Sequence, residues 1–213
     1  MFQSIEFSEV TDRIYGDPSF ELVMSTSSGL EPSISVTAVQ SLVTLNGKEV
    51  TVLGAGQVTV LAEQEGNDEY YAADPVEQSF TVEKAAVSIT ADDQAITYGE
   101  DLPALTSSYS GFVNGEDATV LDEEPQISTS AVPDADAGTY PITLSGGSDD
   151  NYTFSFTEGT LTIEQAAQTI TFEEITEVDI AGQTSISLSA SASSGLIVTY
   201  TLIEGDGSIE GNT

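Results

Sequence analysis

Val43-Thr44-Leu45-Asn46-Gly47-Lys48-Glu49-Val50-Thr51-Val52 sets two short apolar alternations around an Asn-Gly pair. Val43 and Leu45 on one side, and Val50 and Val52 on the other, recur at every second residue, the period at which a strand presents one face. Asn and Gly tolerate positive φ at little steric cost, so the pair is expected to close a β-hairpin. The same period continues outward in both directions. It governs Ile5 and Phe7, then Val58, Val60 and Ala62, then Val87, Ile89 and Ala91, and then Ile142 and Leu144. Tyr152, Phe154 and Phe156 form an aromatic face opposite Thr153 and Ser155, while Ile186, Leu188 and Ala190 oppose Ser185, Ser187 and Ser189. Turn chemistry separates the runs at Tyr15-Gly16-Asp17-Pro18, Ser28-Gly29, Gly54-Ala55-Gly56, Asn114-Gly115, Ala137-Gly138 and Gly146-Gly147. No stretch of ten residues carries a helical stripe; only Tyr70-Tyr71-Ala72-Ala73 is expected to form a short helical turn, inside a loop. The chain reads as all-β.

Two stretches are copies of one another. Gln3-Ser4-Ile5-Glu6-Phe7 recurs as Gln168-Thr169-Ile170-Thr171-Phe172, and Ser27-Ser28-Gly29-Leu30 as Ser193-Ser194-Gly195-Leu196. Repetition of a unit marks an array, built for length or multivalency far more often than for catalysis. Strand exits place the boundaries: Phe80-Thr81-Val82-Glu83-Lys84-Ala85 matches Leu161-Thr162-Ile163-Glu164-Gln165-Ala166 in pattern. The expected fold is therefore tandem immunoglobulin-like β-sandwiches arranged end to end, with units at 1–84, 85–165 and 166–213, the last one truncated. The joints hold no Gly/Ser or Pro hinge, which predicts a semi-rigid string. A second echo links Ile14-Tyr15-Gly16-Asp17-Pro18 to Thr97-Tyr98-Gly99-Glu100-Asp101-Leu102-Pro103; the third unit has Ile180-Ala181 in place of Tyr15-Gly16. Val198, Tyr200 and Leu202 in that third unit are expected to lack partners unless a neighbour completes it.

Composition closes off many functions. Histidine and cysteine are absent, which removes thiolate and imidazole metal sites, Cys nucleophiles and His general bases. Thirty-six acidic residues face only Arg13, Lys48 and Lys84, a net charge of −33. Nucleic acid and anionic lipid need a basic footprint and are repelled. No apolar run is long enough to span a bilayer, and no signal peptide opens the chain. Thirty-six acids make chance carboxylate pairs inevitable, so no pair identifies a glycosidase, and no catalytic residue is assigned.

Calcium is the one cofactor the residues raise. Asp92-Asp93 lies just past a joint, Asp149-Asp150-Asn151 follows Gly146-Gly147, and Asp122-Glu123-Glu124 and Asp134-Ala135-Asp136 lie in loops. Several oxygens must converge at about 2.3–2.6 Å to hold Ca²⁺. None of these clusters has the D-x-[DN]-x-[DN]-G spacing, and Asx turns or solvated acids account for each. Lys48, in the hairpin turn, and Lys84, at a strand exit, do not read as the desolvated lysine that a spontaneous Lys–Asn cross-link needs. Tyr70-Tyr71 is expected to pack back over a sandwich end.

The middle unit carries enough residues for a resemblance. Val87-Ser88-Ile89-Thr90-Ala91-Asp92-Asp93, Tyr98-Gly99, Ser110-Gly111-Phe112-Val113-Asn114-Gly115-Glu116-Asp117, Gly138-Thr139-Tyr140-Pro141-Ile142-Thr143, Asn151-Tyr152 and Gly159-Thr160-Leu161-Thr162-Ile163 together resemble the MBG domain of bacterial surface proteins. The flanking units are similar to bacterial Ig-like repeats, on Gln-x-Ile-x-Phe and Ser-Ser-Gly-Leu. The resemblance implies a large secreted adhesin of the Bacteroidota type, gliding-motility adhesins among them, located extracellularly on the bacterial surface. It brings no catalytic residue. The expectation is a non-catalytic spacer or stalk whose partners are neighbouring repeats. The alternatives are a glycan- or protein-binding module, which predicts a concave aromatic-rimmed patch, and a Ca²⁺-stiffened linker.

Overall fold

The computed structural model describes residues 1–38, 41–175, 186–205 and 207–210. Strand pairing among them falls into three blocks. The first runs through β1 (Ile5–Phe7), β2 (Arg13–Ile14), β3 (Phe20–Glu21), β4 (Met24–Thr26), β5 (Ser33–Ala38), β6 (Val43–Asn46), β7 (Glu49–Val52), β8 (Gly56–Glu63) and β9 (Val76–Glu83). One sheet has the order β2-β9-β8-β5, a second β3-β7-β6, and β1 pairs with β4. Val50, Val58, Val60, Ala62, Phe80 and Val82 are buried between them. The Asn-Gly hairpin forms as read: Asn46 pairs with Glu49, and Gly47 takes φ +66° in the turn.

The second block holds β10 (Ala85–Ala91), β11 (Gln94–Thr97), β12 (Ser107–Ser110), β13 (Gln126–Thr129), β14 (Gly138–Ser145), β15 (Tyr152–Thr157) and β16 (Gly159–Glu164). Its two sheets have the orders β12-β10-β15 and β11-β16-β14-β13. The alternating residues Val87, Ile89, Ile142, Leu161 and Ile163 fill the space between them, while Phe156, at the end of the aromatic face, is exposed. The only helical element among the described residues is a 3-10 turn, Ala118–Val120, capped by the Asp117 side chain.

In both blocks the opening strand is shared between the two sheets, and an aspartate pins the crossing. Asp93 precedes β11, and its Oδ1 accepts the Thr160 N–H at 2.7 Å; Asp12 precedes β2 and accepts the Thr81 N–H at the same distance. Each acceptor satisfies a backbone donor that the break between strands would otherwise leave bare. The second half of the split strand then runs parallel to the exit strand, β2 with β9 and β11 with β16.

The third block has β17 (Ile170–Phe172) paired with β18 (Ala190–Ala192). Its hydrogen bonds repeat those of the first block: Ser4 N to Ser27 Oγ at 3.0 Å becomes Thr169 N to Ser193 Oγ at 2.9 Å. Exposure differs. Ile5 and Phe7 are buried under β8 and β9, whereas Ile170 and Phe172 are exposed. Tyr200 stacks edge-on to Phe172, and Leu202 is exposed. The alternation at Ile186–Ser189 forms no strand, and Ile180-Ala181 lie outside the described residues.

The segment 64–75 forms no helical turn. Asn67 Oδ1 accepts the N–H groups of both Glu69 and Tyr70 at 2.9 Å, an Asx arrangement that bends the chain instead. Tyr71 meets Phe2 at a ring distance of 5.2 Å but remains exposed.

Candidate functional site: the joint between the first two blocks

A single residue, Lys84, separates β9 from β10. Such a short connection forces the ends of the two sandwiches together, and three groups of contacts form. Asn151 spans the joint: its carbonyl accepts the Ala85 N–H at 2.9 Å and its Oδ1 accepts the Ala55 N–H at 2.8 Å. Gly54 makes room for it, since a Cβ there would lie 3.3 Å from that oxygen. Lys84 Nζ donates to the Asp149 carbonyl at 2.7 Å.

The third group centres on the Tyr15-Gly16 corner. Tyr15 is only 6% exposed and meets the Tyr152 ring edge-on at 5.5 Å. Its hydroxyl donates to Glu116 Oε1 at 2.8 Å, and the Tyr152 hydroxyl donates to Glu116 Oε2. The Tyr152 oxygen also accepts the Val113 N–H at 3.1 Å, and Phe112 packs edge-on against the same ring at 5.0 Å. One carboxylate thus ties tyrosines from both blocks. Burial, reinforced by the Glu116 hydrogen bond, pushes the Tyr152 phenol up to about 12 and raises that of Tyr15. Gly16 has φ +93°, and a Cβ would lie 2.5 Å from Val113 Cγ2, so no other residue fits this approach.

Three of the loop aspartates serve the backbone: Asp149, Asp122 and Asp93. Asp149 is buried; its Oδ1 accepts the Asn151 and Tyr152 N–H groups at 2.7 and 2.9 Å, and its Oδ2 the Asp122 N–H at 3.3 Å. Asp122 Oδ2 returns the contact by accepting the Asp150 N–H at 3.0 Å. Asp92 accepts from Thr106 Oγ1 and Ser108 Oγ at 2.7 and 2.6 Å, and these two bonds hold its carboxyl below the usual aspartate range. Asp93 pins the strand crossing. Asp134 lies in the left-handed region at φ +63°, and the Asp136 carbonyl accepts the Tyr140 hydroxyl. Among the described residues no three acidic side chains converge as a cation would require.

A shallow hollow of about 470 Å³ adjoins the joint on the second block, lined by Tyr109, Phe112, Glu116, Asp117 and Thr119. Tyr109 and Phe112 stack along one wall at 6.0 Å. Glu116 therefore faces both the joint and the hollow. Sequence reasoning singled out the Tyr15-Gly16 corner but gave Glu116 no role. Its partner lies 101 residues away, and no local pattern points to it.

Comparison with known proteins places the second block. The model of the family described as MBG domain (YGX type) matches residues 87–162. No curated protein matches the chain in sequence. Among solved structures, the chain is similar to mouse cadherin-23 EC22-24, at 8% identity and a TM-score of 0.29, and to the I9-I11 tandem from titin, at 14% identity and a TM-score of 0.29. Each match covers 77% of this chain, which spans 65% and 66% of those two chains. Among the described residues no helix is long and apolar enough to cross a membrane.

Proposed function

We propose that this chain is a non-catalytic repeat segment of a secreted bacterial cell-surface adhesin, acting as a semi-rigid stalk of units 1–84, 85–165 and 166–213. The observation that carries this reading is the first joint. A one-residue connection, a glycine that admits Val113 to contact, and a carboxylate shared by Tyr15 and Tyr152 fix the angle between two sandwiches. The MBG match over 87–162 supports a surface repeat. The partners in this reading are neighbouring units of the same polypeptide. The net charge of −33 keeps parallel copies apart, by repulsion that salt screens over about 8 Å at physiological strength.

Small-angle scattering on the native chain and on Glu116→Ala tests it. The native first pair should keep one preferred angle, and the variant should broaden the distribution of lengths. Freely tumbling modules in the native chain would end the stalk reading.

The hollow beside Tyr109 and Phe112 supports a second reading, a glycan- or protein-binding module. Aromatic faces next to carboxylates suit sugar rings, which offer C–H faces and hydroxyl donors. Titration of a glycan panel by NMR should then shift Tyr109 and Phe112, and Tyr109→Ala should abolish the shifts. The Ca²⁺-stiffened linker draws no support from Asp149, Asp92 and Asp93, whose carboxylates accept backbone and hydroxyl donors.

A further inference from the structure

The hollow beside the first joint is lined by two kinds of group. Tyr109 and Phe112 stack at 6.0 Å with 30° between their planes, and Glu116, Asp117 and Thr119 complete the lining. Both kinds are held in place before any ligand arrives. Gly111 has φ +106°, and a Cβ there would lie 2.4 Å from the Ala86 carbonyl oxygen, so the turn that carries Phe112 seats directly on β10. The Phe112 ring also meets Tyr152 edge-on at 5.0 Å. Glu116 is pinned by the hydroxyls of Tyr15 and Tyr152. Asp117 Oδ1 accepts the Thr119 hydroxyl and N–H at 2.6 and 2.9 Å, and these bonds hold its carboxyl below the usual aspartate range.

The oxygens left over point to the ligand. A carboxylate oxygen offers two lone pairs. Each Glu116 oxygen uses one on a tyrosine hydroxyl, which leaves one on Oε1 and one on Oε2. Asp117 Oδ2 accepts nothing from the described residues. A planar cation with several N–H donors and no acceptor suits such a set, and its flat face suits the two rings. The chain already contains this pairing once, where the Arg13 guanidinium lies over the Phe20 ring at 4.2 Å. The net charge of −33 draws cationic partners toward the surface and repels acidic ones. No cation of the chain is spare: Arg13 is on Phe20, Lys48 pairs with Glu31, and Lys84 donates to the Asp149 carbonyl. A second copy has the same three, so the guest belongs to a different protein.

We propose that the hollow is a recognition site for an exposed arginine side chain of another protein, its guanidinium stacked on Tyr109 and Phe112 and its N–H groups donated to Glu116 and Asp117. The inference rests on the binding-module reading of the hollow and selects a protein ligand over a glycan within it.

The probe is the peptide acetyl-Gly-Arg-Gly-amide, titrated into the full native chain and followed by NMR. It should give saturable shifts at Tyr109 and Phe112, weakened by raising the salt to about 0.5 M. The same peptide with citrulline keeps the planar head and loses the charge, and it should give no saturable shift. Tyr109→Leu keeps an apolar side chain without the ring face and should weaken binding about two- to five-fold. Asp117→Asn keeps an oxygen for the Thr119 N–H, so the turn stays capped, and it should weaken binding in the same direction. Equal binding of the citrulline peptide would overturn the proposal on the native chain alone. So would shifts spread evenly over remote acidic loops such as Asp68-Glu69, which mark diffuse attraction to a polyanion. A glycan panel run alongside separates the two levels of the argument. Sugars that shift Tyr109 and Phe112 where the arginine peptide does not would sink this inference and keep the binding module; silence from both would remove the binding module as well.

Discussion

Gly16 carries the sharpest constraint at the scale of single residues. Gly16→Ala places a methyl group 2.5 Å from Val113 Cγ2 at a φ that side chains avoid. The strain should cost about 1–3 kcal/mol, relieved in part by opening the joint. Urea denaturation should show the loss, and scattering the altered length. Tyr152 gives a pH signature. Its phenol is pushed up to about 12 from an ordinary value of 10, so across that window the unfolded chain releases a proton that the folded chain keeps. The stabilisation is complete below pH 10 and is lost as pH rises toward 12. Denaturation midpoints should fall over that range, and Tyr152→Phe should flatten the fall. The sequence shows these tyrosines as corner and strand residues. It does not show that Glu116 joins them, because a hydrogen bond across two domains leaves no trace in local spacing. Asp149 was more legible: preference for turns predicts the Asx contact it makes with Asn151, whereas the reach of Asp122 to the Asp150 N–H spans 28 residues and leaves no local signal.

At the scale of elements, burial follows the alternation that the sequence displays. Ile142 is fully buried on β14, and Thr139 on the same strand is exposed. Ile142→Ala should cost about 2–5 kcal/mol and Thr139→Ala less than about 0.5 kcal/mol, both measurable by chemical denaturation. The period of two fixes which residues face inward but is silent about which strand lies beside which. The opening strands pair in one sheet and then the other, and the aspartates that permit this look like ordinary loop acids in sequence. Asp93→Ala removes the acceptor for Thr160 N–H and should cost about 1 kcal/mol. At 64–75, the Asn67 side chain offered the backbone a closer partner than a helical turn, and local composition did not reveal it.

For the whole molecule, the two joints are unequal although their sequences match through Glu-x-Ala-Ala. The absence of cysteine makes the difference measurable, since pairs of engineered cysteines carry spin labels without competition. Labels at Glu63 and Thr153, across the first joint, should give a narrower distance distribution than labels at Thr139 and Thr171, across the second. The three cations add little freedom. Arg13 stacks on Phe20 at 4.2 Å, Lys48 pairs with Glu31 at 3.0 Å, and Lys84 caps Asp149. The parallel pairing of β2 with β9, and of β11 with β16, bears on how such a chain resists pulling. Tension applied at the two ends drags the paired strands lengthwise past each other, so the ladder bonds are loaded in shear all at once. A hairpin pulled from its open end would instead unzip bond by bond. The first two blocks are thus oriented to break late under load, with their strongest direction along the path of the polypeptide.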